Sequence, residues 1–200
     1  PSSEVCIASI VGNSGSITEI YHLICLGLNL QPSSMSKSKL MTQAKAAIMD
    51  IVASKKQKIV LIVDEANLMR PEVFTELHTL TQFDHDSKNL ISMVLCGQTN
   101  LLDKLAYRAS APLASRVIAK THLETLSEAQ LTEYITHHMK VAGVTKKIFD
   151  DGALTAIYQG SGGLLRKSNS LARGGLIAAA IEQSSFVTAE HIRIAASELF

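Results

Sequence analysis

Tryptophan is absent from these 200 residues, and aromatic residues make up only 4% of them. A core must therefore be assembled from Leu, Ile, Val and Ala, and the 46% apolar content is ample for one. Long hydrophobic runs are missing too. None approaches the roughly 18 residues that a spanning helix needs, so no membrane span is expected in this chain. An excess of either charge is also lacking, with 19 Lys and Arg against 18 Asp and Glu. The clusters Lys55-Lys56-Gln57-Lys58 and Lys146-Lys147 read as solvated loop charges, so charge gives no argument for a nucleic-acid surface. The three cysteines, Cys6, Cys25 and Cys96, are odd in number and have neither metal nor redox spacing. They read as small buried thiols, and a reducing, cytoplasmic compartment is expected. Pro1-Ser2-Ser3-Glu4 carries no basic leader, and a start without Met suggests a piece of a longer protein.

Against these absences stands one run, Ile59-Val60-Leu61-Ile62-Val63-Asp64-Glu65-Ala66. Five consecutive apolar residues read as a strand buried on both faces, as in parallel sheets. Two carboxylates follow at its C-terminal end, where open α/β sheets place their ligands. This is the Walker B arrangement of a nucleotide triphosphatase. Asp64 is expected to hold Mg²⁺, and Glu65 to orient or deprotonate the attacking water. The partner of such a site is a Gly-x-x-x-x-Gly-Lys-Ser/Thr loop whose amides and lysine cradle phosphates. None of the 11 glycines is followed by lysine. Gly12-Asn13-Ser14-Gly15-Ser16, after the strand-like run Val5–Val11, has the glycines and hydroxyls only and reads as a strand-to-helix turn.

Up to about residue 123 strands and helices alternate. A strand is expected at 4–11, helices near 16–28 and 36–54, the Walker B strand, and a helix opened by Pro71 with Val73, Phe74, Leu77 and Leu80 inward. A second buried strand at 90–96, a short helix at 100–107 and a last strand at 116–122 complete an α/β layer. From residue 124 the pattern is helical. The capping box Ser127-Glu128-Ala129-Gln130 opens a first helix, and others are expected near 150–159, 164–183 and 188–199. The expected fold class is α/β, a parallel sheet with flanking helices over 1–123, followed by a small all-helical lid over 124–200. Gly174-Gly175 lies inside the third of these helices, which must be tightly packed or weak.

The order of Asp64-Glu65-Ala66, Val94-Leu95-Cys96-Gly97-Gln98-Thr99-Asn100-Leu101, Arg116 and Gly162-Gly163-Leu164-Leu165-Arg166 resembles an AAA+ ATPase. It is most similar to the ExeA/GspA-like branch, which includes type II secretion ATPases and the TniB- and TnsC-like helpers of transposition; the resemblance covers about residues 40–199. It implies an ATP-binding, ATP-hydrolysing core with Mg²⁺ that assembles with copies of itself through an arginine-finger face and remodels a partner. That partner would be a transposase/DNA complex or a membrane component of a secretion system. The loop Asp84-His85-Asp86-Ser87-Lys88-Asn89-Leu90 resembles the transposition helpers more. In this resemblance Gln98 is sensor 1, with Asn100 as the next candidate for that role and for nucleotide contact. Arg116 is the arginine finger, with Arg108 as the alternative. Arg166 is sensor 2, ahead of Lys167 and Arg173 by position.

The chain departs from the family pattern in two places. Leu165 stands where such proteins usually carry Pro, and the family's central strand with its phosphate loop has no counterpart among these residues. That strand would lie between the sensor 1 strand and the one led by Arg116. A non-catalytic AAA+-like fragment, serving oligomerisation or partner binding, is the alternative reading. Asp84-His85-Asp86 has metal-ligand residue types at adjacent positions that rarely converge on one ion, and His137-His138 diverge around a helix. No metal other than Mg²⁺ is expected.

Overall fold

In the computed structural model, the apolar run Lys58–Asp64 (β2) is the middle strand of a parallel three-stranded sheet, flanked by Val5–Val11 (β1) and Ile91–Leu95 (β3). The described residues are 4–13, 15–32 and 34–199; Ser14 of the glycine turn and Pro1–Ser3 lie outside them. The chain divides into two units, 1–120 and 121–200.

Register decides which side chains share a face of the sheet. Cys6–Ile59–Ile91, Ala8–Leu61–Met93 and Ile10–Val63–Leu95 form three rows on one face. Against them pack Ile17–Gly27 (α1), Lys37–Ser54 (α2) and Pro71–Thr81 (α3), which bury Ile20, Tyr21 and Ile24, then Leu40, Ala44 and Ile48, then Val73, Phe74, Leu77 and Leu80 in the same cluster. Burial of side chains of this size stabilises by about 1.5–3 kcal/mol each. The α1 phenol of Tyr21 donates to the Glu76 carbonyl at 3.3 Å, and burial together with the Glu76 carboxylate holds its pKa well above the usual phenol range.

The opposite face corrects the expectation of strands buried on both sides. Its rows are Ile7–Val60–Ser92 and Ser9–Ile62–Val94, in which Ile7 and Val94 are exposed and Val60 and Ile62 half-buried. The helices α1–α3 all contribute to the cluster on the first face, so the apolar run of β2 is deeply covered on one side. Cys96 continues the Ser92–Val94 parity and is exposed, and Cys6 is only half-buried, so Cys25 alone of the three thiols is buried as expected.

A second correction concerns the strand expected at 116–122. After β3 come Asn100–Ala106 (α4), a 3₁₀ turn at Arg108–Ser110 and the single helical turn Ala111–Ala114 (α5). Arg116 lies in the turn that follows, its amide donating to the Leu113 carbonyl at 3.0 Å, and residues 117–127 are irregular. A strand exists only by pairing, and among the described residues nothing pairs with the outer edge of β3. Ile118 is accordingly 100% exposed.

The second unit consists of Glu128–Val141 (α6), Asp151–Ser161 (α7), Leu165–Ile181 (α8) and Ala189–Leu199 (α9). The capping box is formed in both directions: Ser127 Oγ accepts the Gln130 N–H, and Gln130 Oε1 accepts the Ser127 N–H. Leu131, Ile135, Ile157, Leu171, Val187 and Ile192 form its core. Gly175 of α8 is buried, and a Cβ there would fall 2.3 Å from Ile192 Cδ1. Gly175 therefore marks close packing of α8 on α9.

Candidate functional site

All three strands run the same way, so their C-terminal ends bring Gly12, Asp64 and Cys96 to one rim of the sheet. Asp64 is exposed there, and its Oδ1 accepts the Glu65 N–H at 2.9 Å. Glu65 adopts a left-handed conformation, φ 50° and ψ 32°. This turns its amide out of the ladder. Cys96 N–H donates to the Val63 carbonyl at 2.9 Å, and the Cys96 carbonyl then accepts from Ala66, skipping Glu65. A side chain held this way costs roughly 1–2 kcal/mol of backbone energy, and such residues concentrate at working sites.

Neighbouring segments lock the turn. The Gly12 amide donates to the Asp64 carbonyl at 2.6 Å, and a Cβ on Gly12 would come 2.9 Å from the Glu65 carbonyl oxygen. On the β3 side, Gly97 abuts the 3₁₀ turn Ala66–Leu68, and the Gln98 N–H donates to Asn67 Oδ1 at 3.1 Å. Gln98 is exposed, its carbonyl accepts from Leu101 at 2.9 Å, and Asn100 is the exposed first residue of α4. Asp64, Glu65 and Gln98 thus stand on adjacent strand ends. Asn67 was not singled out from the sequence; the signal for it was an amide three residues beyond an acid at a strand end.

An anchored, exposed carboxylate at the end of a strand is the hard oxygen donor that Mg²⁺ takes, and Asp64 fits that role. The first glycine turn is built differently. Asn13 Oδ1 accepts the Gly15 N–H at 3.0 Å, Asn13 Nδ2 donates to Glu19 Oε1 at 2.9 Å, and Ser16 caps α1. A carboxylate at its mouth opposes a phosphate.

Of the arginines expected to act, Arg108 and Arg116 belong to the first unit and Arg166 and Arg173 to the second. Arg116 forms an ion pair with Asp86, and both side chains are partly exposed. Asp86 belongs to a turn in which Asp84, His85 and Asp86 all have positive φ, and Asp84 pairs with Lys88 at 2.9 Å. The two carboxylates are thus engaged by cations, and no metal-holding group of His, Cys, Asp and Glu occurs among the described residues. Arg108 is exposed in its 3₁₀ turn. Arg166 belongs to the second unit, exposed in the first turn of α8, with Lys167 beside it and Arg173 two turns on. No helix among the described residues is long and apolar enough to cross a membrane.

The family model described as AAA domain matches residues 3–105. General secretion pathway protein A of Aeromonas hydrophila is 34% identical over 143 residues, which are 72% of this chain and 26% of that protein. Among solved structures, Cdc6p from Pyrobaculum aerophilum superposes with a TM-score of 0.73 at 17% identity, covering 98% of this chain and 53% of that one. The Aeropyrum pernix ORC2 protein in its ADP form gives 0.71 at 15% identity, covering 98% and 54%. The chain therefore spans about a quarter of the secretion relative and about half of the two solved relatives. At these identities the structural likenesses establish the fold.

Proposed function

The chain belongs to the AAA domain family, and on that premise we propose that Asp64 and Glu65 are its Walker B pair, acting in ATP hydrolysis. The observation that carries this is Glu65 itself, held left-handed at the end of the middle strand beside the anchored carboxylate of Asp64. Asp64 would hold the Mg²⁺ of bound Mg-ATP, which supplies charge neutralisation on the phosphates. Glu65 orients the attacking water and takes its proton, and Gln98, or Asn100 next to it, hydrogen-bonds that water or the γ-phosphate. Residues 1–123 serve as the nucleotide-binding core and 124–200 as the lid, from which Arg166 approaches the γ-phosphate, with Lys167 and Arg173 less well placed in sequence. Arg116, or Arg108 in its stead, acts on the site of a neighbouring copy.

On this reading the protein is a cytoplasmic, self-associating switch or motor acting on a secretion-system membrane component, and the likeness to general secretion pathway protein A supports the link to secretion. The alternative partner, a transposase/DNA complex, rests on the loop 84–90 alone. A second reading has its own support: these 200 residues contain no Gly-Lys pair, and Glu19 closes the first glycine turn. On that reading the segment is a non-catalytic module for oligomerisation or partner binding. Titration of the full-length protein with ATP, with and without Mg²⁺, separates the two. ATP binding strengthened by Mg²⁺ in the wild type, with most of that gain lost in Asp64→Asn, is expected; an Asp64→Asn variant that keeps the full gain removes Asp64 as the metal ligand.

A further inference from the structure

One side chain at this rim is buried and has no part in the chemistry just described. Asn67, 3% exposed, sits in the 3₁₀ turn directly after Glu65. Its Oδ1 accepts the Gln98 N–H at 3.1 Å. That bond takes over where the backbone ladder stops. Cys96 N–H reaches the Val63 carbonyl at 2.9 Å, Ala66 N–H reaches the Cys96 carbonyl at 2.8 Å, and Asn67 then supplies the acceptor that the turned backbone no longer offers. Gly97 makes the approach possible, since a Cβ there would fall 2.7 Å from Asn67 Oδ1 and 3.0 Å from Asn67 N.

We propose that Asn67 is a positioning residue that ties the Gln98 segment to the Glu65 turn, so that the two move as one body. The proposal rests on the roles given to Glu65 and Gln98 in hydrolysis. Its physical basis is the sensitivity of a reacting geometry to position, where a misplacement of about 1 Å can cost around 10²-fold in rate. The residue type fits as well. An amide accepts the Gln98 N–H without adding a third carboxylate next to Asp64 and Glu65, where like charges would repel.

Amide hydrogen exchange on the chain tests the tie itself. In Asn67→Ala the Gln98 amide should exchange at least about tenfold faster while the Leu61 amide in the middle of β2 is unchanged. Unchanged exchange at Gln98 in Asn67→Ala overturns the proposal. If that variant fails to fold, Asn67→Ser, whose hydroxyl is too short to reach, is expected to show the same faster exchange. In the full-length protein, Asn67→Ala should lower kcat about 10–100-fold with KM within about threefold, and adding Gln98→Ala should cost little more. Loss of turnover in Gln98→Ala beside normal turnover in Asn67→Ala overturns the positioning role alone. Normal turnover in Gln98→Ala removes the role given to Gln98 in hydrolysis.

Discussion

The guanidinium of Arg116 is paired with the carboxylate of Asp86, which lies in the left-handed turn between α3 and β3. Both side chains are partly exposed, so the pair adds little to stability, roughly 0–1 kcal/mol. Arg116→Ala should therefore fold normally. If Arg116 is a trans-acting finger, this variant of the full-length protein should lose about 10³–10⁵ in turnover while ATP binding changes much less. Mixing it with Glu65→Gln subunits should restore some hydrolysis, because some sites then pair an intact Glu65 with an intact Arg116. A mixture as inactive as either variant alone would favour Arg108 or a role within the subunit.

Backbone conformation at Glu65 gives a test that needs no nucleotide. Glycine adopts φ near +50° without penalty but loses more entropy on folding, so Glu65→Gly should gain roughly 0.5–1 kcal/mol of stability net. Glu65→Gln keeps the Cβ and should leave stability within about 0.5 kcal/mol of wild type. Urea unfolding of the three proteins decides the matter. A glycine variant no more stable than the glutamine variant would mean that Glu65 is not strained.

Alkaline pH should weaken the α/β unit through Tyr21. Its folded pKa is raised, by burial first and the Glu76 carboxylate second, so the neutral phenol is the form that folding favours. Its contribution is fully present below the unfolded value of about 10 and is lost as pH rises above it, by up to about 1.4 kcal/mol per unit. Cys25, raised by burial, acts in the same direction. Urea midpoints measured from pH 8 to 11 should fall more steeply for wild type than for Tyr21→Phe. Parallel curves would remove Tyr21 as the cause.

Much of the architecture was legible because local signals were strong and agreed with one another. The Ser127–Gln130 box, Pro71 at the start of α3 and the helical spacing of Leu40, Ala44, Ile48 and Ile51 each specify an element without help from distant residues. What was not legible depends on partners far away in sequence. The apolar run 59–63 looks the same whether one face of a strand is covered or two, and the segment 116–122 has strand-forming residues but pairs with no strand among the described residues. At the site, the acids could be read from the sequence, whereas the left-handed turn of Glu65 and the hydrogen bond from Gln98 to Asn67 arise only when β2 and β3 lie side by side.

The role of Glu65 is tested most directly by Glu65→Gln in the full-length protein, with ATP occupancy and phosphate release measured on the same sample. Asp64, the proposed Mg²⁺ ligand, remains in this variant, while the carboxylate that would take the proton from water is gone. ATP retained at wild-type occupancy with phosphate release abolished is the expected result. Normal phosphate release from Glu65→Gln would contradict the assignment of Asp64 and Glu65 as an ATP-hydrolysing pair.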